Sequence, residues 1–348
     1  MTPRMAKSML SKTLQKNWSY PEGTNPNKYI TVNLQSVPGI GKTSIVEQVA
    51  KENNAGFIPV VIAQYDPAEI AGFPVLSEDR TYYKRAISPF LKQMHEKVKE
   101  FGKCVVLLDE INQAVMASKN LCAQPVNEHM LGEHKIPYGV QFVTAGNPMS
   151  TRSGTSPMPC HFKDRLATWN VEADAPSFLD DYALKREFHH SITSFIRHRP
   201  EFLSKFNPDV DACPSPRSWE RANTILGIDF DPRERQLALK AQLGDGATAD
   251  FLGYLKVADL MPDPEEVLKN PGSAEIPEDP PVLHAICGAI SAHVKKNTMK
   301  HLITYIDRIK DKEFGAFTMR DAIKRNDELR KLPEVTNWFL TSGREMML

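Results

Sequence analysis

The chain has 348 residues, 41% hydrophobic and 25% charged, with 43 lysines and arginines against 43 aspartates and glutamates. This is the composition of a globular protein, long enough for two domains or for one domain and a lid, and it excludes a disordered chain. Balanced charge excludes a whole-molecule field toward nucleic acid or membrane, while leaving local basic patches open, and no run approaches the roughly 20 apolar residues of a membrane span.

Residues 5–15 read as a short amphipathic arm, and 17–28 as a polar, Pro/Asn-rich linker. Tyr29-Ile30-Thr31-Val32-Asn33-Leu34 alternates and is β-branched, which predicts a strand. Next comes Ser36-Val37-Pro38-Gly39-Ile40-Gly41-Lys42-Thr43, followed by Ser44-Ile45-Val46-Glu47-Gln48-Val49-Ala50-Lys51, with Ile45, Val46 and Val49 on one helical face. A strand, a glycine turn, Lys-Thr and a helix form a phosphate-binding context. Glycines let the backbone aim N–H groups at phosphate oxygens, and the helix N-terminus adds a favourable dipole. Lys42 would reach the β- and γ-phosphates, and the Thr43 hydroxyl would take a Mg²⁺ position. Ser36 stands where the G-x-x-x-x-G-K-[ST] pattern has its first glycine.

Residues 57–62 predict a second buried strand. The stretches 66–76 and 81–84, around the turn residues Ser77-Glu78-Asp79-Arg80, suggest a hairpin inserted into a loop, and a helix is expected over 89–101. Cys104-Val105-Val106-Leu107-Leu108-Asp109-Glu110 is an apolar run ending in two acids. That describes a central parallel strand delivering carboxylates to the sheet edge where α/β folds bind ligands. Asp109 would hold Mg²⁺ through water, and Glu110 would orient and deprotonate an attacking water. The alternative, that both acids merely cap a helix over 112–127, weakens downstream of a phosphate loop. Residues 131–137 predict a second hairpin before the strand Val140-Gln141-Phe142-Val143-Thr144-Ala145, which ends in Gly146-Asn147-Pro148. The Asn147 amide can meet the γ-phosphate or the lytic water, although Asn-Pro alone is a turn starter.

A Ser/Thr/Gly/Pro loop over 151–159 leads to Asp164-Arg165 and a last strand over 168–171. A helix over 179–200 is expected to close the first domain, with His189-His190 structural. From Asp209 the character changes to short helices. Ser215-Pro216 starts one, and Arg217 in its first turn opposes the dipole, which suggests an anionic partner. Helices are expected over 233–243, 247–258, 282–296, 299–310 and 319–329, with 261–281 a Pro-rich acidic connector outside the core and Trp338-Phe339-Leu340 as a C-terminal anchor. Residues 1–11 have no signal-peptide core. Cys104, Cys122, Cys160, Cys213 and Cys287 show neither C-x-x-C nor Cys/His spacing. Secretion, zinc and a disulfide framework are therefore not expected, and a reducing cytoplasm is.

Over about residues 29–295 these motifs, in this order, resemble the AAA+ ATPases and within them the MoxR-like group. The two hairpins fall where that clade carries an insert in its second helix and another before the strand of Asn147. The resemblance implies a P-loop three-layer αβα domain with a parallel five-stranded sheet (29–207) after an N-terminal arm and linker (1–28), then an α-helical lid with C-terminal helices (208–348). It implies ATP and Mg²⁺ as ligands. Lys42 and Thr43 match Walker A, Asp109 and Glu110 Walker B, Asn147 sensor 1, Arg217 sensor 2 and Arg165 the arginine finger. That finger reaches a neighbour's nucleotide, which implies a homo-oligomeric ring, usually a hexamer. A protein partner bearing a von Willebrand factor A domain is implied by family alone. Ser36 departs from the pattern, as does Gln113, where the family often has Arg. A nucleic-acid motor or loader is the competing reading. Arg80, Lys84 and Arg85 could line a pore for it, but no aromatic–basic stretch resembles a stacking platform. A non-hydrolysing scaffold is disfavoured by intact Glu110 and Asn147.

Overall fold

The computed structural model describes residues 1–152 and 154–342; of the expected 151–159 loop and helical lid, residue 153 and residues 343–348 lie outside them. The chain divides into two compact units, Met1–Glu172 and Ala173–Leu348.

The first unit opens with α1 (Pro3–Trp18), started by Pro3 and by the Thr2 hydroxyl, which accepts from the Met5 amide. Then follow β1 (Thr31–Gln35), α2 (Lys42–Glu52), β2 (Gly56–Val61), α3 (Pro67–Ala71), β3 (Pro74–Leu76), β4 (Tyr83–Arg85), α4 (Pro89–Phe101), β5 (Cys104–Asp109), α5 (Met116–Glu128), β6 (Met130–Leu131), β7 (His134–Lys135), β8 (Val140–Gly146), α6 (Cys160–Lys163) and β9 (Leu166–Asn170). The main sheet runs β2-β5-β8-β1-β9, and every pair in it is parallel. The apolar runs of β5 and β8 sit inside the sheet and are buried along their length, as strands covered on both faces must be. Across β8, β1 and β9 one row is polar: Thr144 Oγ1 donates to Asn33 Oδ1 (2.9 Å), and Asn33 Nδ2 donates to Thr168 Oγ1 (3.2 Å).

Both expected hairpins form, β3–β4 and β6–β7, and they dock on each other. The Arg85 amide donates to Glu133 (2.8 Å), and His134 Nε2 meets the Arg85 carbonyl (2.9 Å). The N-terminal segment expected as an arm is instead part of this unit. Ala6, Leu10 and Leu14 are buried, Lys7 pairs with Glu52 (2.6 Å), and Asn17 and Trp18 donate to Gln141 and to the Gly139 carbonyl. A helical row of apolar side chains has enough area to dock, so residues 3–18 are not a tether.

The second unit is helical: α7 (Ala175–Phe178), α8 (His190–His198), α9 (Pro216–Leu226), α10 (Pro232–Ala258), α11 (Pro264–Lys269), α12 (Pro280–His293), α13 (Met299–Asp307), α14 (Lys312–Arg325) and α15 (Pro333–Leu340). α10 is broken at Gly244 (φ 78°, ψ 171°), in the gap expected between two helices. A Cβ there would stand 2.4 Å from the Ala212 carbonyl oxygen, so glycine is required by both φ and space.

The division after Glu172 differs from the boundary expected at 207, and the reason is packing. Leu179, Phe188, Ile192 and Phe195 join a core with Trp219, Leu239 and Phe251, and the Phe195 ring lies 5.2–5.6 Å from those of Phe202, Trp219, Phe251 and Tyr254. The stretch 179–200 therefore belongs to the second core and does not close the first. The connector 261–281 is also corrected: α11 forms within it, and Val267 and Leu268 are buried in a cluster with Ile286, Leu302 and Tyr305. Trp338 is the C-terminal anchor, buried and donating to Asp307 (2.9 Å), whereas Leu340 is exposed.

Candidate active site

The parallel sheet brings the C-terminal tips of β1, β5 and β8 side by side, and the phosphate-loop residues follow directly on β1. The loop is tied to β8 where the Ser36 amide donates to the Gly146 carbonyl (3.3 Å). Gly39 (φ 85°) and Gly41 (φ 97°) take left-handed conformations that favour glycine, whereas Ser36 is not among the positive-φ residues. The first pattern glycine is thus dispensable here on backbone grounds. Gly41 caps α2 without a side-chain hydrogen bond, and the N-terminal turn of a helix is suited to an anion. Ile40 is buried beneath the loop, and Val37, Pro38 and Ser44 are half-buried.

Lys42 Nζ donates to the Ser36 carbonyl and hydroxyl (3.1 Å each) and to Asn147 Oδ1 (2.9 Å). The substituted serine supplies an acceptor for the loop lysine that glycine would lack. Thr43 Oγ1 donates to Asp109 Oδ2 (2.7 Å), and Asp109 Oδ1 accepts from the Glu110 amide (2.9 Å). Thr43 and Asp109 thus bring together hard oxygen donors of the kind Mg²⁺ takes, and the fit to a Mg–nucleotide is good. Among the described residues no group of three or more His, Cys, Asp or Glu gathers as a metal cage, so the metal would depend on phosphate oxygens and water for its remaining ligands.

Glu110 itself is left-handed (φ 52°, ψ 32°), a conformation that costs a non-glycine residue about 1 kcal/mol or more and that clusters at functional sites. It turns the chain out of β5 (Cys104–Asp109) into the short turn Ile111–Gln113. Neither acid caps α5: the cap position is Val115, with no side-chain hydrogen bond. The capping alternative is therefore set aside.

Two residues that sequence reasoning passed over complete the tip. Asn112 Nδ2 donates to the Asn147 carbonyl (3.0 Å). Lys119 is 0% exposed, and its Nζ donates to the Asn112 carbonyl (2.9 Å), the Ser156 carbonyl (3.0 Å) and hydroxyl (2.5 Å), and the Pro157 carbonyl (3.5 Å). Burial pushes its pKa down. A signal for it exists in the sequence, because Lys119 shares the helical face of Cys122, Ala123 and Val126, all buried.

Not all the candidates converge. Arg165 is exposed after α6 and donates to the His161 carbonyl (2.6 Å); it makes none of the hydrogen bonds of the Lys42, Asp109 and Asn147 cluster. Arg217 lies in the second unit, exposed in the first turn of α9, which Ser215 caps by accepting from the Ser218 amide (3.1 Å). The His189 ring nitrogen accepts from the Ser191 amide at the start of α8 (3.3 Å), a structural use. No helix among the described residues is long and apolar enough to cross a membrane.

Residues 32–150 match the family model described as "ATPase family associated with various cellular activities (AAA)". No curated protein matches the chain. Among solved structures, that of a "putative ATPase" from Cytophaga hutchinsonii is similar at 13% identity over 96% of this chain and 79% of that one, with a TM-score of 0.33, too loose a likeness to bear on fold or function.

Proposed function

Since the chain is an ATPase with an AAA+ αβα domain and a helical lid region after it, we propose that it is a ring-forming, Mg²⁺-dependent machine of the MoxR-like type that remodels or activates a protein partner. The observation that carries this reading is the convergence of Lys42, Thr43, Asp109 and Asn147 at adjoining strand tips, through the 2.9 Å Lys42–Asn147 and 2.7 Å Thr43–Asp109 contacts.

In this reading the amides of residues 39–44 cradle the phosphates, and Lys42 exchanges its Ser36 and Asn147 acceptors for β- and γ-phosphate oxygens. Asn147 is thereby released to orient the γ-phosphate or the water. Glu110 takes a proton from that water as its oxygen attacks the γ-phosphorus and the bond to the β–γ bridging oxygen breaks, leaving ADP and phosphate. Thr43 and Asp109 would hold Mg²⁺, which would supply charge neutralisation on the phosphates. By the family resemblance Arg217 would serve as sensor 2 and Arg165 as the arginine finger for a neighbouring subunit, which is why a ring is proposed. Nucleotide state moves the partner only through different affinities for the lid's positions, and a partner with a von Willebrand factor A domain fits the family resemblance.

Glu110→Gln should bind ATP, stop turnover and trap the ring with its protein partner for identification. Unchanged turnover in Glu110→Gln would overturn the assignment of the base. One observation favours the nucleic-acid reading as a second possibility: Tyr82 and Tyr83 are 60% and 72% exposed beside exposed Arg80 and Lys84, a surface on which bases can stack. Arg85 is committed to the Gly72 carbonyl (2.9 Å). Stimulation of turnover by single-stranded DNA with a steep salt dependence would decide for that reading, and no stimulation against it.

A further inference from the structure

We infer that Lys119 and Asn112 are positioning residues for ATP hydrolysis, holding the Asn147 backbone in place at the strand tip through one chain of hydrogen bonds that ends on Lys42. The inference rests on the site reading above. The chain runs from Lys119 Nζ to the Asn112 carbonyl, from Asn112 Nδ2 to the Asn147 carbonyl, and from Asn147 Oδ1 to Lys42 Nζ, at 2.9, 3.0 and 2.9 Å.

Stability alone does not explain either residue. Lys119 sits on the buried face of α5 among apolar neighbours, where a methionine or leucine would pack at no desolvation cost. A buried ammonium costs several kcal/mol, and here it is met by carbonyl and hydroxyl oxygens alone, with no carboxylate among its hydrogen-bond partners. Asn112 is similarly costly. Its Oδ1 is buried without a hydrogen-bond partner, a loss of about 1–3 kcal/mol that an apolar residue would avoid. What asparagine supplies is the donor on Asn147.

The backbone is shaped to admit that amide. A Cβ on Gly146 would stand 1.7 Å from Asn112 Oδ1, so residue 146, immediately before Asn147, must be glycine for Asn112 to lie where it does. Asn112 also borders a cavity of about 350 Å³, with Asn33, Gln35, Ser156, Lys163 and Thr168 in its lining. Asn112 is held by the Lys119 ammonium and the Ser156 amide on its carbonyl (2.9 Å each) and by the Asn147 carbonyl on its amide (3.0 Å). Because Lys119 binds Ser156 as well, its loss loosens both holds on that carbonyl. Lys119 also grips Ser156 and Pro157, so the segment leading to α6 and Arg165 is tied to the same point.

Lys119→Met should lower kcat about 10- to 100-fold, as a small misplacement at a reacting centre does, while the affinity for a non-hydrolysable ATP analogue and its binding stoichiometry stay as in the parent. Gly146→Ala removes no polar group but displaces Asn112, and should produce the same split between kcat and binding. In a double-mutant cycle, Lys119→Met added to Asn112→Ala should cost little beyond Asn112→Ala alone, because both cut one chain. An unchanged kcat in Lys119→Met, or losses that multiply in the double variant, would reduce Lys119 to a loop anchor and overturn the inference. If Lys119→Met fails to fold, Gly146→Ala and Asn112→Ala carry the test, and parental kcat in both overturns it. Lys42→Ala is the control: if that variant also turns over normally, the site reading itself has failed, whereas loss of activity in Lys42→Ala alone rejects only the positioning chain.

Discussion

Lys119 in the first unit and Arg197 in the second are both buried cations, held in opposite ways. Lys119 is surrounded by neutral oxygens close to the strand tip that carries Asn147. Arg197, on α8, meets the carboxylate of Asp321, on α14, at 2.5 Å, with both side chains nearly covered, and its guanidinium lies over the Phe317 ring (4.8 Å). Burial raises the Asp321 pKa, while Arg197, Arg320 and Arg325 pull it back. A paired charge of this kind locks two helices into register. An unpaired one among carbonyls holds backbone in a functional arrangement with little stability to show for it. The difference suggests a division of labour, in which variants at the tip change rate and variants in the second core change stability.

The largest test of that division is Arg165→Ala, which should lower turnover by about 10³- to 10⁵-fold if the residue acts as an arginine finger, with no change in melting temperature. Activity should return when the variant is mixed with Glu110→Gln subunits whose Arg165 is intact; failure of that rescue would place Arg165 elsewhere. Glu110→Gln comes next, with about a 10²- to 10⁴-fold loss in kcat expected for removal of a general base and nucleotide binding retained in equilibrium dialysis.

On the other side of the comparison, Asp321→Asn should destabilise the second unit by about 3–5 kcal/mol, because it strands a buried arginine; urea unfolding measures this. Acid should act on the same unit. Burial, with His189, His293 and Arg325 nearby, lowers the His190 pKa to about 3, and burial with His198 and Arg197 lowers that of His284 to about 4. Both folded values lie below the ordinary 6.5, so below about pH 6.5 the unfolded chain binds more protons and stability falls, at up to ~1.4 kcal/mol per pH unit for each histidine until the folded values are reached. Thermal scans between pH 7.5 and 5 should show the second unit melting progressively earlier, and substitution of His284 by an apolar residue should flatten that slope. The smallest effect belongs to Ser36→Ala, which removes one acceptor of Lys42 and should weaken nucleotide binding or turnover by about 0.5–1.5 kcal/mol, with Ser36→Gly similar.

Read alone, the amino-acid order determines whatever depends on neighbours in the chain. The strand, glycine turn and helix around Lys42 are such features, because cradling phosphate requires consecutive amides and φ values that Gly39 and Gly41 supply. So are the apolar run ending at Asp109, the two hairpins and the break in α10 at Gly244. Packing between distant segments was decided only by the tertiary structure. The first helix docks on the end of α2 and on β8, and residues 179–200 join the core of Trp219, because apolar area seeks a complementary face that local periodicity cannot name. The positioning chain through Lys119, Asn112 and Asn147 is the clearest case. It links residues 7 and 35 positions apart by hydrogen bonds that exist only once the parallel sheet has set the tips of β5 and β8 side by side. A lysine on an apolar helical face and a glycine before Asn147 were visible in the order of residues, but only the fold supplies the oxygens that make a buried ammonium tolerable and the close approach that makes the glycine necessary.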